Sequence, residues 1–441
     1  TLPAKTRRDL VKAYTGQSLP ETDPDYPALT IANAQQQETI SLDKPKPYTV
    51  ELDWSVSREP EAIVTFLKDA LLDGGCAAII CNTVRRAQDI YRALQAADLD
   101  ISQDDLILFH ARFPPIWRQG IEKKVLEKFG KPDDNGRSPH RPRRAIVVAT
   151  QVIEQSLDLD FDLMISDLAP VDLILQRAGR LHRHKRTAQE RHNHPHRLMI
   201  TKPLPDEKGL PEFESDKYVY EPYVLLRSYL ALQKRQQIII PNDTTTLIEA
   251  VYGSEANLPD LEERWLQSLD EMRRAMENNR QKAESKAGGQ LVLAPSNMRL
   301  MKQAILQLEE DDPEVHQTFR AQTRDIDPGV SLICLHQNGD RTTKDTDVAV
   351  HDGQKLIPFN LETIPFSLTK TLLKNMLNIH HRGVIKALVD QPLPKNWKDH
   401  AALSYARPLL FINGICDLPD SKYYLKLTQT FGLEIIKKET V

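Results

Sequence analysis

Six short apolar runs, separated by helical patterns between residues 50 and 200, constrain the fold of this chain more than any other feature. "VELDW" (50–54), "CAAIIC" (76–81), "LILFH" (106–110), "AIVVA" (145–149), "LMIS" (163–166) and "RLMI" (197–200) read as strands. Several are apolar throughout instead of alternating, the pattern of strands covered on both faces by helices in a parallel sheet. "TVRRAQDIYRALQAA" (83–97) reads as one covering helix, with Thr83 as N-cap and Val84, Ala87, Tyr91 and Leu94 on its inner side. Alternating βα units of this length predict an α/β fold, an open doubly wound parallel sheet flanked by helices.

The pattern changes after about residue 205. "EPYVLLRSYLALQKR" and "LPDLEERWLQSLDEMRRAMENNRQKAESKA" predict helices, and "KAGGQ" (286–290) should end the second. Its stripe of Leu261, Trp265, Leu269, Met272 and Met276 has the spacing of a packed face. Further on, "VSLICLH" and "RPLLFING" read as strands, with a helix around 367–379. The expected division is an α/β domain over 1–205, a helical linker region over 206–324 and a small α+β accessory domain over 325–441.

Charge is informative only locally. The 58 basic and 62 acidic residues give a net charge of −4, which selects no partner. From Arg177 to Arg197, however, seven Lys/Arg and five His face one acid, Glu190. The four cysteines (Cys76, Cys81, Cys334, Cys416) form no CxxC pair, which points to reduced buried thiols and a cytoplasmic location. No run of 18 apolar residues is present and no secretory leader is evident, so neither a membrane span nor export is expected. The opening "TLPAKTRRDL" lacks a methionine and reads as a piece of something longer.

Ligands of open α/β sheets sit outside the carboxyl ends of the strands. Polar residues follow four of the predicted strands: Asn82 and Thr83; "HARF" (110–113); "TQVIEQSLDLD" (150–160); and "DLAP" (167–170). The last leads into "QRAGRLHR" (176–183). Continued as a helix, this stretch puts Gln176, Arg180 and Arg183 on one face and Ile174, Ala178 and Leu181 on the buried one. Two planar guanidiniums aimed together suit a phosphate.

The ordered set resembles the second RecA-like domain of superfamily 2 helicases, and more narrowly the CRISPR-associated helicase–nuclease of type I systems. "TLP" is similar to the end of that class's S-A-T-L-P motif. "VYEPYVLLRSYLAL", "IEAVYG" and "TRDIDPGVSLICLH" look like the family's linker and C-terminal domain, so the resemblance covers nearly the whole chain. It implies that Arg180 and Arg183 act as arginine fingers on ATP, with Gln176 nearby and Asp158 towards the ribose. It assigns Asn82, Thr83, His110, Arg112, Thr150, Gln151 and Gln155 to the backbone of single-stranded DNA. For the complete protein it implies ATP with Mg²⁺, a metal-dependent HD nuclease domain using a divalent transition metal, and recruitment by the RNA-guided surveillance complex. The tail leans towards subtype E. Two positions depart from the pattern: Gln155-Ser156 stands where related RNA helicases often carry Arg-Gly, and Trp117 stands where an acid is expected before Arg118.

Two alternatives stay open on the residues alone: an RNA or DNA-repair helicase of the same superfamily, and a non-catalytic nucleic-acid-binding regulatory module. The sequence contains no G-x-x-x-x-G-K-[ST] phosphate loop and no D-E-x-[HD] acid pair, so these residues by themselves should bind ATP poorly and not hydrolyse it. Three other features mimic metal sites: His351-Asp352 without supporting histidines, "RHNHPHR" (191–197), and "DLDFD" (158–162), which lacks the glycine and glutamate of a calcium loop. No metal ligand is assigned.

Overall fold

The computed structural model describes residues 2–20, 26–154, 157–253, 261–289, 329–337, 348–361, 364–389 and 391–438. They fall into two compact units, residues 1–261 with 330–441, and residues 262–329. The first unit begins with helix α1 (Ala4–Thr15) and a hairpin of β1 (Ala28–Ala32) and β2 (Gln37–Ser41). A seven-stranded sheet follows, built from β3 (Tyr48–Asp53), β4 (Gly75–Ile80), β5 (Leu106–Phe109), β6 (Arg144–Ala149), β7 (Leu163–Asp167), β8 (Arg197–Thr201) and β9 (Gln237–Ile240). The spatial order is β5-β6-β4-β7-β8-β3-β9, parallel throughout except for β9, which runs against β3. All six apolar runs are strands, and β4, β5 and β7 are buried along their whole length.

The sheet is covered by α2 (Pro60–Ala70), α3 (Val84–Ala96), α4 (Pro115–Phe129) and α5 (Val171–Ala178). Thr83 caps α3 as expected, its Oγ1 accepting the Arg86 N–H. Ile63 and Leu67 of α2, with Ala87, Ile90 and Leu94 of α3, close one core with Ala77, Ile79, Ile146, Val148 and Ile165 of the strands. Burying an aliphatic side chain of this size stabilises by roughly 1.5–3 kcal/mol each, so this layer holds the sheet in place.

The stretch expected to be a helical linker contributes helices α6 (Pro222–Leu232) and α7 (Thr244–Tyr252), but also the strand β9. Three consecutive β-branched isoleucines, Ile238 to Ile240, suit a pleated strand, and the open edge of β3 offers them a ladder. Residues 206–253 therefore belong to the same unit as the sheet. The boundary expected at 325 lies outside the described residues. In the second unit the described part is helix α8 (Glu263–Gly289), where Leu269 is buried and Trp265, Met272 and Met276 are half-buried on a helix otherwise largely exposed.

The C-terminal part of the first unit centres on β10 (Val330–Gln337). It pairs with β11 (Val348–His351) and β13 (Met376–Ile379) antiparallel and with β14 (Ala406–Phe411) parallel, and β12 (Leu356–Phe359) extends beyond β11. A meander of β15 (Ile415–Asp417), β16 (Tyr423–Thr428) and β17 (Gly432–Lys437) follows. The helix expected around 367–379 stops at Leu373, and Met376–Ile379 is a strand. Asn375 makes the break: its Nδ2 donates to the carbonyls of Thr371 and His351, competing with helical continuation.

This C-terminal part is fastened to the sheet by polar contacts. The Leu433 N–H donates to the Arg112 carbonyl at 2.9 Å, the Ile116 N–H to the Lys374 carbonyl at 3.1 Å, and Gln88 Nε2 to the Phe431 carbonyl at 2.8 Å. His110 is fully buried among them. Its Nδ1 accepts the Arg112 N–H and its Nε2 faces the Phe431 carbonyl at 3.1 Å, which fixes a neutral ring with its proton on Nε2. Burial, and then the charge of Arg112, push its pKa down to about 3.

At the amino end of β7, Asp160 and Asp162 are buried and surrounded by arginines. Arg191 reaches Asp160 at 3.0 Å and Asp162 at 2.9 Å, Arg186 reaches Asp160 at 2.7 Å, and Arg141 reaches Asp162 at 2.8 Å. Burial raises the pKa of Asp160, but these arginines outweigh it and leave the group below its ordinary value. Within "DLDFD", Asp160 and Asp162 are thus a pair of charge-compensated buried acids, and much of the basic surplus over 177–197 is turned inward.

Two consequences are measurable. His110 titrates at about 3 when folded and near 6.5 when unfolded, so its contribution is present above about pH 6.5 and is lost as the pH falls. Between pH 7 and 5.5 this amounts to about 1 kcal/mol, read as a falling urea midpoint whose slope His110→Phe should flatten. An unflattened slope would mean that His110 is not the buried neutral group described. Arg191→Met strips both carboxylates of a partner and should cost roughly 3–5 kcal/mol in urea unfolding, whereas exposed Lys185→Ala should stay within about 0.5 kcal/mol.

Candidate nucleotide and nucleic-acid site

Helix α5 leaves the carboxyl end of β7 and returns alongside it, ending at Ala178. Gly179, with the weakest helix propensity after proline, stops it, and His182 turns the chain at a φ of 45°. The Phe161 N–H donates to the Arg180 carbonyl at 3.0 Å, and the His182 N–H donates to the Phe161 carbonyl at 3.0 Å. The helical face expected to carry Gln176, Arg180 and Arg183 together therefore does not form. Gln176 is exposed on the helix, while the two arginines lie beyond it.

This placement corrects a second expectation. Phe161 precedes β7, so Arg180 and Arg183 stand at the amino edge of the sheet. Asn82, His110 and Thr150 follow β4, β5 and β6, so they stand at the carboxyl edge. Two edges carry the candidate residues.

At the amino edge, Arg180 is half-buried, and its Nη2 donates to the Glu154 carbonyl at 2.8 Å. Its Nε is buried without a hydrogen-bond partner, and burial followed by the charge of Arg183 lowers its pKa. Arg183, 41% exposed, pairs with Asp158, 45% exposed. Burial raises the Asp158 pKa, but the hydrogen bond and charge of Arg183 outweigh it and the group ends below its ordinary value. The residues nominated for phosphate and ribose are thus joined to each other. At such exposure an ion pair contributes about 0–1 kcal/mol, so an incoming phosphate can displace it. Two mutually repelling guanidiniums and an orphaned N–H fit the terminal phosphates of a nucleotide. Among the described residues no group of three or more His, Cys, Asp or Glu is placed to hold a metal ion.

Arg177, to which the sequence assigns no role, is the arginine that holds the end of β7. It is fully buried, with Nε on Glu154 at 2.7 Å, Nη1 on Ser166 Oγ at 2.8 Å and on the Asp167 carbonyl at 3.0 Å. Its signal was present: it lies three residues after Ile174 and beside Ala178, inside the predicted buried stripe. Arg177 clasps Glu154 to the strand end and so fixes the backbone to which Arg180 bonds.

At the carboxyl edge three nominated side chains are turned inward. Asn82 is 2% exposed, its N–H donating to Asp167 and its Nδ2 to the Leu168 carbonyl. Thr150 is 3% exposed, and His110 is covered by the Phe431 segment. Asn82 Nδ2 and both His110 ring nitrogens are committed to internal partners and Thr150 is as deeply buried, so these residues shape the edge. Gln151 ties the Asn82 carbonyl to the Tyr220 hydroxyl, at 2.9 and 3.0 Å. Thr83 and Arg112 are half-buried, and burial pushes the Arg112 guanidinium down to about 10. Gln155 lies outside the described residues.

Asp167 organises this edge, again unforeseen. It is buried, receives Arg86 Nε at 2.8 Å, the Asn82 N–H at 3.0 Å and Thr201 Oγ1 at 2.9 Å, and feels the charge of Arg58. The histidine-rich features are also structural. His194 Nε2 meets the Gly74 carbonyl at 2.8 Å, and His351 lies edge-on to Trp117 with ring centroids 5.2 Å apart.

Known proteins give this geometry a context. Residues 73–186 match the family described as CRISPR-associated nuclease/helicase Cas3, C-terminal. The CRISPR-associated endonuclease/helicase Cas3 of Thermus thermophilus is 32% identical over 93% of this chain and 47% of its own length. A solved structure described as a CRISPR-associated protein superposes with a TM-score of 0.83 at 36% identity, covering 99% of this chain and 47% of that one. Cas3 of T. fusca solved with ATP gives 0.73 at 26% identity, covering 98% and 50%. The chain spans about half the length of the relatives it matches. With its parallel sheet and its docked C-terminal strands, the chain matches over nearly its whole length about half of the Cas3 CRISPR-associated nuclease/helicases.

Proposed function

We propose that this chain supplies the second motor half of an ATP-dependent single-stranded DNA translocase and nuclease of type I CRISPR antiviral defence. The observation that carries this reading is the pair Arg180 and Arg183 at the amino edge, with an unpartnered Nε and a breakable link to Asp158. In this role Arg180 and Arg183 neutralise charge that grows on a γ-phosphoryl group held mainly by a first RecA-like domain, along with its Mg²⁺. Gln176 is exposed one turn before Arg180, and Asp158, once released, faces the ribose. Thr83, Arg112 and Gln151 remain the candidates for strand contacts on the opposite edge.

The motor site is incomplete here, so these 441 residues bind ATP weakly and do not turn it over. Their natural companions are the first RecA-like domain, an HD nuclease domain with a divalent transition metal, single-stranded DNA and the RNA-guided surveillance complex. A surface suited to a neighbouring domain is present. Leu2 just before α1, Leu10 and Tyr14 on it, and Leu29, Ile31 and Ile40 of the β1–β2 hairpin are all exposed, an apolar concentration that ordinarily marks an interface. No described helix is long and apolar enough to cross a membrane.

The test uses the full-length protein. Arg180→Ala or Arg183→Ala should lower DNA-stimulated ATP turnover by about 10³-fold or more while leaving single-strand affinity unchanged. Turnover equal to the parent protein removes the arginine assignment and the motor reading with it.

A further inference from the structure

The carboxyl edge continues past β7 to a part of the sheet that none of the helicase motifs reach. Trp54 follows β3 and Lys202 follows β8. Between the loops they begin lies a cavity of about 340 Å³ lined by Trp54, Lys202, Pro203, Pro205, Pro211 and Tyr229, among others. Trp54 is half-buried, with Tyr229 packed against it edge to face at 5.8 Å, and its Nε1 is a buried donor without a hydrogen-bond partner. Lys202 is exposed at the mouth.

The cavity walls are tied to one another. Arg58, at the end of the Trp54 loop, is 6% exposed and holds Asp216 at 2.7 Å, just beyond the opposite wall. Arg58 also feels Asp167, the carboxylate that receives the Asn82 N–H. Proline rings fix the backbone of the second wall, so little ordering is left for a ligand to impose. In the sheet order, β3 is three strands from β4, about 14 Å from the Thr83 end of α3. A strand lying across Thr83 and Arg112 therefore comes within a few nucleotides of this cavity.

We propose that the cavity takes one nucleobase of the bound single strand, stacked on the Trp54 indole, with the adjoining phosphate on the Lys202 ammonium. The chemistry is that of a planar heteroaromatic ring joined to an anion. Aromatic and proline walls favour the ring, and the exposed cation favours the phosphate. Stacking on a ring face is tolerant of base identity, so the site acts as a footing for any sequence.

The proposal rests on the single-strand reading above, and its test separates the two. The 441-residue chain is titrated with fluorescein-labelled oligothymidylate, reading anisotropy for total binding and tryptophan emission for the cavity. Binding should quench emission, and Trp54→Phe should remove most of the quench. Trp54→Ala should weaken binding about tenfold. Lys202→Ala, at an exposed position that leaves the fold intact, should weaken it and lower the salt slope by about one. An abasic strand of equal length should bind with little quench. If the strand binds equally well to all three variants, or if the abasic strand quenches fully, the cavity assignment is overturned while the single-strand reading survives. If no strand binds at all, both readings are overturned.

Discussion

Strand β7 carries a buried carboxylate problem at each end, and the rest of the molecule is arranged around its solution. Asp160 and Asp162 precede it and Asp167 ends it. An uncompensated charge in such places would cost several kcal/mol, so each must be met by a cation with good geometry. The amino end recruits Arg141, Arg186 and Arg191 from distant loops, and the carboxyl end recruits Arg86 and the field of Arg58. Loops otherwise free to wander are pinned in this way beside the two edges on which ligands would act. Arg177 bridges the levels, because one side chain holds both Glu154 and the end of β7.

The separation of the edges gives the fold its logic. Residues 150–162 start at the carboxyl end of β6 and finish at the amino end of β7, and α5 makes the return journey beside them. Glu154 meets Arg177 through its carboxylate and Arg180 through its carbonyl, so a displacement at either edge is felt by one shared residue. Arg180 and the residues of the carboxyl edge need not be neighbours to be linked. They only need to be mounted on the same crossing segments.

Much of the fold was legible because apolar runs report burial directly: all six predicted strands form, and Thr83 caps its helix. What escaped depended on partners far away in sequence. "QIII" becomes a strand because β3 has an open edge, and Met376–Ile379 does so because β10 offers a register. The site was legible at the level of motif order but not of orientation. Helical extrapolation through Gly179 put Gln176, Arg180 and Arg183 on one face that does not form, and Asn82 and His110 are bonded within the scaffold. Arg177 and Asp167, which do the holding, have roles visible only once Glu154, Arg86 and Asn82 are brought to them.

The β1–β2 hairpin has a further effect, on how the polypeptide behaves in bulk. Leu29, Ile31 and Ile40 line one side of a two-stranded ribbon with no third strand beside it among the described residues. Purified without a companion, molecules carrying this greasy flank attract one another as they are concentrated, and the net charge of −4 offers little repulsion to keep them apart. Handling should therefore be easiest in dilute, low-salt buffers or with the rest of the protein present.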